Sequence, residues 1–125
     1  MFSIIWSIGT TTTLEGRLKF DKWLRDRLES LEITDFPEEK LVYDYKWNME
    51  KREWEYWLDT IPEFQVDTKL NYSDIVVPTV DSIRMKFLMA TLLLNNKHCL
   101  APGPTGTGKS VNIAELLAFG LPEEY

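Results

Sequence analysis

The sequence predicts an α+β chain that is mainly helical with short strands, and that ends in part of an α/β sandwich. Two observations lead to this prediction. Apolar side chains recur at intervals of three and four over residues 17–31 and 80–94, which is typical of helices with one buried face. A glycine-rich loop at residues 103–110 follows a short apolar segment and precedes a further helical pattern, an order typical of strand–loop–helix units.

Composition narrows the class of protein. The 125 residues include 14 basic and 20 acidic side chains, and the net charge of −6 argues against general nucleic-acid binding. The single cysteine, Cys99, excludes an internal disulfide framework and is expected to pack as a small hydrophobe. A single histidine, His98, makes a histidine-based metal cluster or a Ser-His triad improbable. No apolar run approaches the roughly 20 residues that span a bilayer, so we expect no membrane partner. The single cysteine fits a reducing, intracellular compartment, and the acidic charge predicts no nucleic-acid partner.

The N-terminal third predicts two helices. Residues 2–8 form an apolar block, interpreted as the end of a buried helix that Gly9 breaks. Thr12 and Glu15 have capping-box spacing before the second helix. That helix is predicted over residues 17–31, with an apolar stripe that needs a partner surface. The stripe consists of Phe20, Trp23, Leu24, Leu28 and Leu31.

The middle segment is acidic and aromatic. Residues 32–40 predict a loop, and the alternation in residues 41–45 predicts a short strand. Trp54 and Trp57 fit either a short helix or a strand that returns in a hairpin, and the pattern leaves both open. Residues 32–75 hold twelve acidic and five basic side chains, which we interpret as a solvated face. In such surroundings Trp47, Trp54 and Trp57 are expected to pack in a core or interface rather than to stack on bases.

The C-terminal segment predicts the strand–loop–helix order. Residues 75–77 are expected to be a short strand or extended segment, and Thr79 is a good N-cap for the following helix, with Asp81 in its first turn. Residues 98–101 predict a weak strand, which Pro102 should fray because proline donates no ladder hydrogen bond. Residues 109–119 predict a helix that ends before Gly120.

The glycine-rich loop matches the pattern G-x-x-x-x-G-K-[ST] in full. Glycines let backbone N–H groups turn inward around phosphate oxygens. Lys109 would contact the β- and γ-phosphates of ATP or ADP, and Ser110 would bind Mg²⁺. The predicted cofactor-binding residues of the loop are Gly103, Pro104, Thr105, Gly106, Thr107, Gly108, Lys109 and Ser110.

Catalysis requires residues that the sequence does not supply. Hydrolysis needs a carboxylate on a second strand, and the acidic residues among 111–125 do not follow an apolar strand. The parallel neighbours of a P-loop strand are reached by crossovers that would lie downstream. We therefore predict no catalytic residue and no turnover by this chain alone, and we expect a fragment with an incomplete α/β sandwich.

The ordered set of segments resembles dynein heavy chains. Residues 4–9 (Ile-Ile-Trp-Ser-Ile-Gly) and 16–25 are similar to the segment after the second AAA+ module of that family. Residues 41–45 and 54–57 resemble the lid or extension that follows. The opening of the third AAA+ module is matched by residues 76–82 (Val-Val-Pro-Thr-Val-Asp-Ser) and by the loop at 103–110, and details lean toward axonemal inner-arm members.

The resemblance implies a partial P-loop NTPase (AAA+) fold and a division into three segments. Residues 1–31 would end the preceding AAA+ module, 32–73 would form the lid or extension, and 74–125 would begin the P-loop module. It also implies that Val77, Pro78 and Thr79 border the adenine.

Implied partners are neighbouring AAA+ modules and other dynein chains, with microtubules reached only through domains that this sequence lacks. The implied location is the cytoplasm and cytoskeleton, in the ciliary axoneme. Two alternatives remain open: a non-enzymatic interaction module with a vestigial P-loop, and a complete small kinase-like NTPase.

Overall fold

The computed structural model describes residues 1–33, 36–66, 71 and 75–122, which belong to two compact units, Met1–Pro62 and Glu63–Tyr125. The predicted fold class is confirmed: the described chain is mainly helical and carries one two-stranded antiparallel sheet. The elements of the first unit are α1 (Phe2–Ser7), α2 (Leu14–Glu29), β1 (Tyr45–Asn48) and β2 (Glu53–Tyr56), with 3₁₀ turns at Gly9–Thr11, Val42–Asp44 and Trp57–Thr60. The second unit contains α3 (Val80–Leu94) and α4 (Lys109–Phe119).

Helix α2 begins three residues earlier than its apolar pattern predicts. Its N-cap is Thr13, whose hydroxyl accepts a hydrogen bond from the Gly16 N–H at 3.3 Å, so the predicted capping role of Thr12 is wrong by one residue. Leu24 and Leu28 are buried, whereas Trp23 is 56% exposed. The buried face of α2 is therefore narrower than the predicted stripe.

Tyr43 lies at the centre of the first unit. Its hydroxyl donates to the carbonyl of Gly9 at 2.7 Å, and its own carbonyl accepts from the indole N–H of Trp57 at 2.9 Å. Gly9 is confined here, because a Cβ at this position would lie 2.6 Å from the Phe20 ring and 2.8 Å from the Tyr43 hydroxyl. The buried core consists of Ile5, Leu24, Leu28, Phe36, Val42, Tyr43 and Tyr45.

The predicted strand over residues 41–45 is wrong except at its last residue. The Asp44 N–H donates to the Leu41 carbonyl at 2.9 Å, and the Asp44 carboxylate accepts from the Leu41 N–H at 3.1 Å, which closes a 3₁₀ turn. Val42 and Tyr43 are both buried although they are adjacent in sequence. Alternation of side chains across a strand cannot produce that burial.

A β-hairpin follows the turn. Strands β1 and β2 pair with Tyr45 opposite Tyr56 and Trp47 opposite Trp54. Of the two interpretations left open by the sequence, a short helix or a hairpin strand, the hairpin strand is therefore correct for Trp54. Trp57 instead begins a 3₁₀ turn and is fully buried, in agreement with the prediction that the tryptophans pack in a core. The Trp47 and Trp54 rings meet edge to face at 5.2 Å between centroids.

Arg25 ties α2 to the segment before β1. Its guanidinium donates to the carbonyls of Pro37 at 2.8 Å and Lys40 at 2.5 Å, and to the Asp21 carboxylate at 3.2 Å. The same group lies over the ring of Phe36, 5.3 Å from its centroid. The described part of the predicted loop, residues 36–40, thus contains a core aromatic side chain that the acidic composition did not indicate.

In the second unit α3 begins as predicted. Thr79 caps it, and Thr79 and Ser82 exchange hydrogen bonds of 2.9 and 3.2 Å between side chain and backbone. Asp81 is in the first turn and pairs with Arg84. Helices α3 and α4 pack against each other, with the Lys86 ammonium 2.8 Å from the Glu115 carboxylate.

The predicted weak strand at residues 98–101 is wrong. These residues have no regular secondary structure, and no described residue forms a ladder with them. An isolated strand leaves its N–H and C=O groups to water, so it is not held without a neighbour. For residues 75–77 the sequence left open a short strand or an extended segment. They belong to no strand of the described chain and have no regular secondary structure.

Candidate functional site

The glycine-rich loop joins residues 98–101 to α4. Gly106 and Gly108 have φ of +81° and +72°, in the left-handed region where a side chain is strained. Gly108 is also the N-cap of α4, so the helix begins directly at Lys109. Successive N–H groups in such a turn form a concave surface suited to anions. The loop residues are largely exposed to solvent.

Lys109 folds back over this loop. Its ammonium donates to the carbonyl of Pro104 and, at 2.9 Å, to the hydroxyl of Thr107. The Thr107 hydroxyl in turn donates to the Pro104 carbonyl at 3.0 Å. A Cβ on Gly103 would lie 3.5 Å from Cδ and 3.6 Å from Nζ of the lysine, so its stem runs along that glycine. An ammonium has three N–H donors, and these two contacts use two of them.

The first turn of α4 is held by Asn112. Its backbone N–H and its side-chain Nδ2 both donate to the carbonyl of Gly108, at 3.0 and 2.9 Å. Ser110 lies in the same turn with an exposed side chain. Sequence reasoning did not single out Asn112. The available signal was an amide side chain four residues after the last glycine, a spacing that places the two residues one helical turn apart.

The other predicted site residues lie in the same unit. Val77, Pro78 and Thr79 lead into α3, and Thr79 uses its side chain as the helix cap. Val77 is 58% exposed. Their predicted place beside an adenine stays a prediction.

The described residues limit other kinds of site. They include no group of three or more His, Cys, Asp or Glu side chains that could hold a metal ion. Cys99 is exposed, and the expectation that it packs as a small hydrophobe is wrong because no strand carries it inward. In the described part of the chain, no helix has the length and apolar character to cross a membrane.

A glycine loop that curls around a lysine at the start of a helix defines the second unit as part of a P-loop protein. Comparison with protein families is more specific: the Dynein heavy chain AAA lid domain matches residues 1–59, and the P-loop containing dynein motor region matches residues 64–125. The chain belongs to the dynein heavy chain family.

Individual relatives agree with the family matches. The chain is 39% identical over 142 residues to dynein axonemal heavy chain 1 of Homo sapiens and 37% identical over 143 residues to that of Mus musculus. Both alignments cover 100% of this chain and 3% of the relative. Dynein axonemal heavy chain 12 of Mus musculus is 38% identical over 138 residues, covering 99% of the chain and 4% of the relative. The chain therefore spans a small part of the length of the relatives that it matches.

Proposed function

We propose that the second unit binds ATP or ADP with Mg²⁺ at residues 103–110. The observation that carries this proposal is the position of Lys109, whose ammonium is held against the loop by the Pro104 carbonyl and the Thr107 hydroxyl. A cation at this place is suited to contact phosphate oxygens, and the N-terminus of α4 adds the positive end of a helix dipole. Ser110 would supply one oxygen to the metal, and Val77, Pro78 and Thr79 would border the adenine.

The loop fits this group in its backbone as well as in its side chains. Gly106 and Gly108 adopt the positive φ that a phosphate-binding turn requires, and a Cβ on Gly106 would meet no atom within 4 Å. Space is thus open beside the loop where an anion would approach. Bound Mg²⁺ would neutralise phosphate charge, while Lys109 orients the phosphates.

For the whole chain we propose a place in the AAA+ ring of a dynein heavy chain. Residues 1–31 would close one AAA+ module, 32–73 would form its lid or extension, and 74–125 would begin the next module. The partners would be neighbouring AAA+ modules and other dynein chains of a microtubule-based motor for ciliary movement. The names of the axonemal relatives support a location in the cytoskeleton of the cilium.

A titration of the 125-residue chain with Mg·ADP and Mg·ATP, followed by calorimetry, tests nucleotide binding. Lys109→Ala should weaken binding at least tenfold, because a charged contact to phosphate contributes about 1.5–3 kcal/mol. Lys97→Ala, which removes the same charge from an exposed position in the same unit, should leave the affinity unchanged within twofold. Absence of heat at millimolar nucleotide, or equal affinities for Lys109→Ala and Lys97→Ala, would refute the proposal.

A second candidate function is an interaction module with a vestigial P-loop. It is favoured by the apolar side chains that α2 exposes, among which Leu14 is 73% and Leu18 is 52% exposed. Such a module would associate with a dynein ring equally well with and without nucleotide. Association that survives Lys109→Ala and is lost in Leu14→Ser/Leu18→Ser would favour it over the first proposal.

A further inference from the structure

Asn112 contacts the glycine loop from one turn into α4. The Gly108 carbonyl already accepts the helical hydrogen bond from the Asn112 N–H at 3.0 Å, and the Asn112 side chain adds a second donor at 2.9 Å. The other end of the amide contributes nothing comparable. Oδ1 is buried, and no donor to it is found in the described part of the chain. The side chain therefore acts on the loop through its N–H donor.

The carbonyl of Gly108 and the N–H of Lys109 belong to one peptide plane. In a trans peptide these two groups point in opposite directions. Two donors that draw the carbonyl toward the body of α4 consequently turn the Lys109 N–H away from the helix, toward the loop. Gly108 has a φ of +72° and no side chain, so apart from the helical hydrogen bond to its carbonyl its backbone has few constraints.

We propose that Asn112 is a positioning residue for phosphate binding: its side-chain amide fixes the Gly108–Lys109 peptide so that the Lys109 N–H faces the anion. The inference rests on the proposed nucleotide site and deepens it. Asn112 touches the loop carbonyl and acts on the phosphate through that peptide. The ligand class is a di- or triphosphate, which a backbone N–H at a helix N-terminus can bind.

A matched pair of substitutions separates the effect of the hydrogen-bond donor from the effect of side-chain volume. Asn112→Thr supplies a hydroxyl that can donate to the carbonyl four residues earlier. Asn112→Val places a side chain of nearly the same shape as threonine there, but without a donor. Both are β-branched, so their effects on the helix itself should be similar.

The experiment is a titration of the full 125-residue chain and its two variants with Mg·ADP and with inorganic pyrophosphate. Asn112→Val should bind both ligands about fivefold more weakly than the original chain, as expected for one lost hydrogen bond. Asn112→Thr should stay within twofold. In the same samples, without ligand, the backbone ¹⁵N resonance of Lys109 should shift in Asn112→Val and remain near its original position in Asn112→Thr. The resonance reports the peptide directly, even if one variant is less stable.

The outcomes separate the two proposals. Binding by the original chain with equal affinity in Asn112→Val, or equal losses in both variants, would overturn the role of Asn112 and leave the nucleotide site standing. A Lys109 ¹⁵N shift that is the same in Asn112→Val and Asn112→Thr would overturn the role of Asn112 as well. Failure of the original chain to bind either ligand would refute the nucleotide site, and the positioning role with it.

Discussion

Replacing Arg25 with alanine removes the side chain that holds residues 36–40 against α2. Three hydrogen bonds are lost, to the carbonyls of Pro37 and Lys40 and to the Asp21 carboxylate, together with the cation–π contact to Phe36. Of these, the Pro37 carbonyl is partly buried and should count for about 1.5 kcal/mol, while the exposed Lys40 carbonyl counts for about 0.5 kcal/mol. The partly buried ion pair and the cation–π contact add about 0.5 kcal/mol each.

The expected loss is about 3 kcal/mol of unfolding free energy. A folded unit of this length is stabilised by about 3–9 kcal/mol in total, so the N-terminal unit should be close to unfolding without denaturant. Tryptophan fluorescence is a selective assay, because all five tryptophans of the chain lie in this unit. With a slope near 1 kcal/mol per M urea, the midpoint should fall by about 3 M.

Two further variants make the measurement decisive. Arg25→Lys keeps the charge but loses the planar fork, and should cost about half as much. Arg27→Ala removes an exposed arginine from the same helix and should shift the midpoint by less than about 0.5 M. A midpoint for Arg25→Ala equal to that of Arg27→Ala would refute the reasoning, because the tie to residues 36–40 would then contribute nothing.

Two other predictions concern the same unit. Gly9→Ala should lower its stability by about 1–3 kcal/mol in the fluorescence assay, since the new Cβ would lie 2.6 Å from the Phe20 ring; an unchanged midpoint would contradict this packing. Burial raises the pKa of Tyr43 and Tyr45 above 10.0, so their contribution to stability is complete below pH 10 and is lost as pH rises through the folded pKa. Urea unfolding at pH 8 and 10.5 should show this loss, and Tyr43→Phe should reduce it; equal stability at both pH values would refute it.

Local signals explain which elements were predictable. The start of α3 depends on Thr79 and Ser82, which are only three residues apart, so the sequence predicts both the cap and the helix. Residues 41–45 depend on distant groups instead. Tyr43 is drawn inward by Gly9 and Trp57, which are 34 and 14 residues away, and this overrides the alternation that indicated a strand.

The same distinction between local and structure-dependent signals separates the glycine loop from Asn112, the residue that supports it. Residues 103–110 form a contiguous motif, so the sequence alone predicted the turn, its glycines and the lysine at the start of α4. The contact of Asn112 with Gly108 depends on one side-chain rotamer at a helix terminus. Composition and periodicity carry no information on that choice, so the role of Asn112 follows only from the three-dimensional structure.

The hydrogen bonds that join Gly9, Tyr43 and Trp57 also set an order of events during synthesis. The centre of the N-terminal unit needs residues that lie 48 positions apart, so α1 has no complete partner until Trp57 has left the ribosome. Closing such a separation costs chain entropy before the core contributes, which slows folding relative to a purely helical unit. Until then the apolar side chains that α1 and α2 bury in the folded unit, such as Ile5 and Leu24, stay open to contacts with other chains.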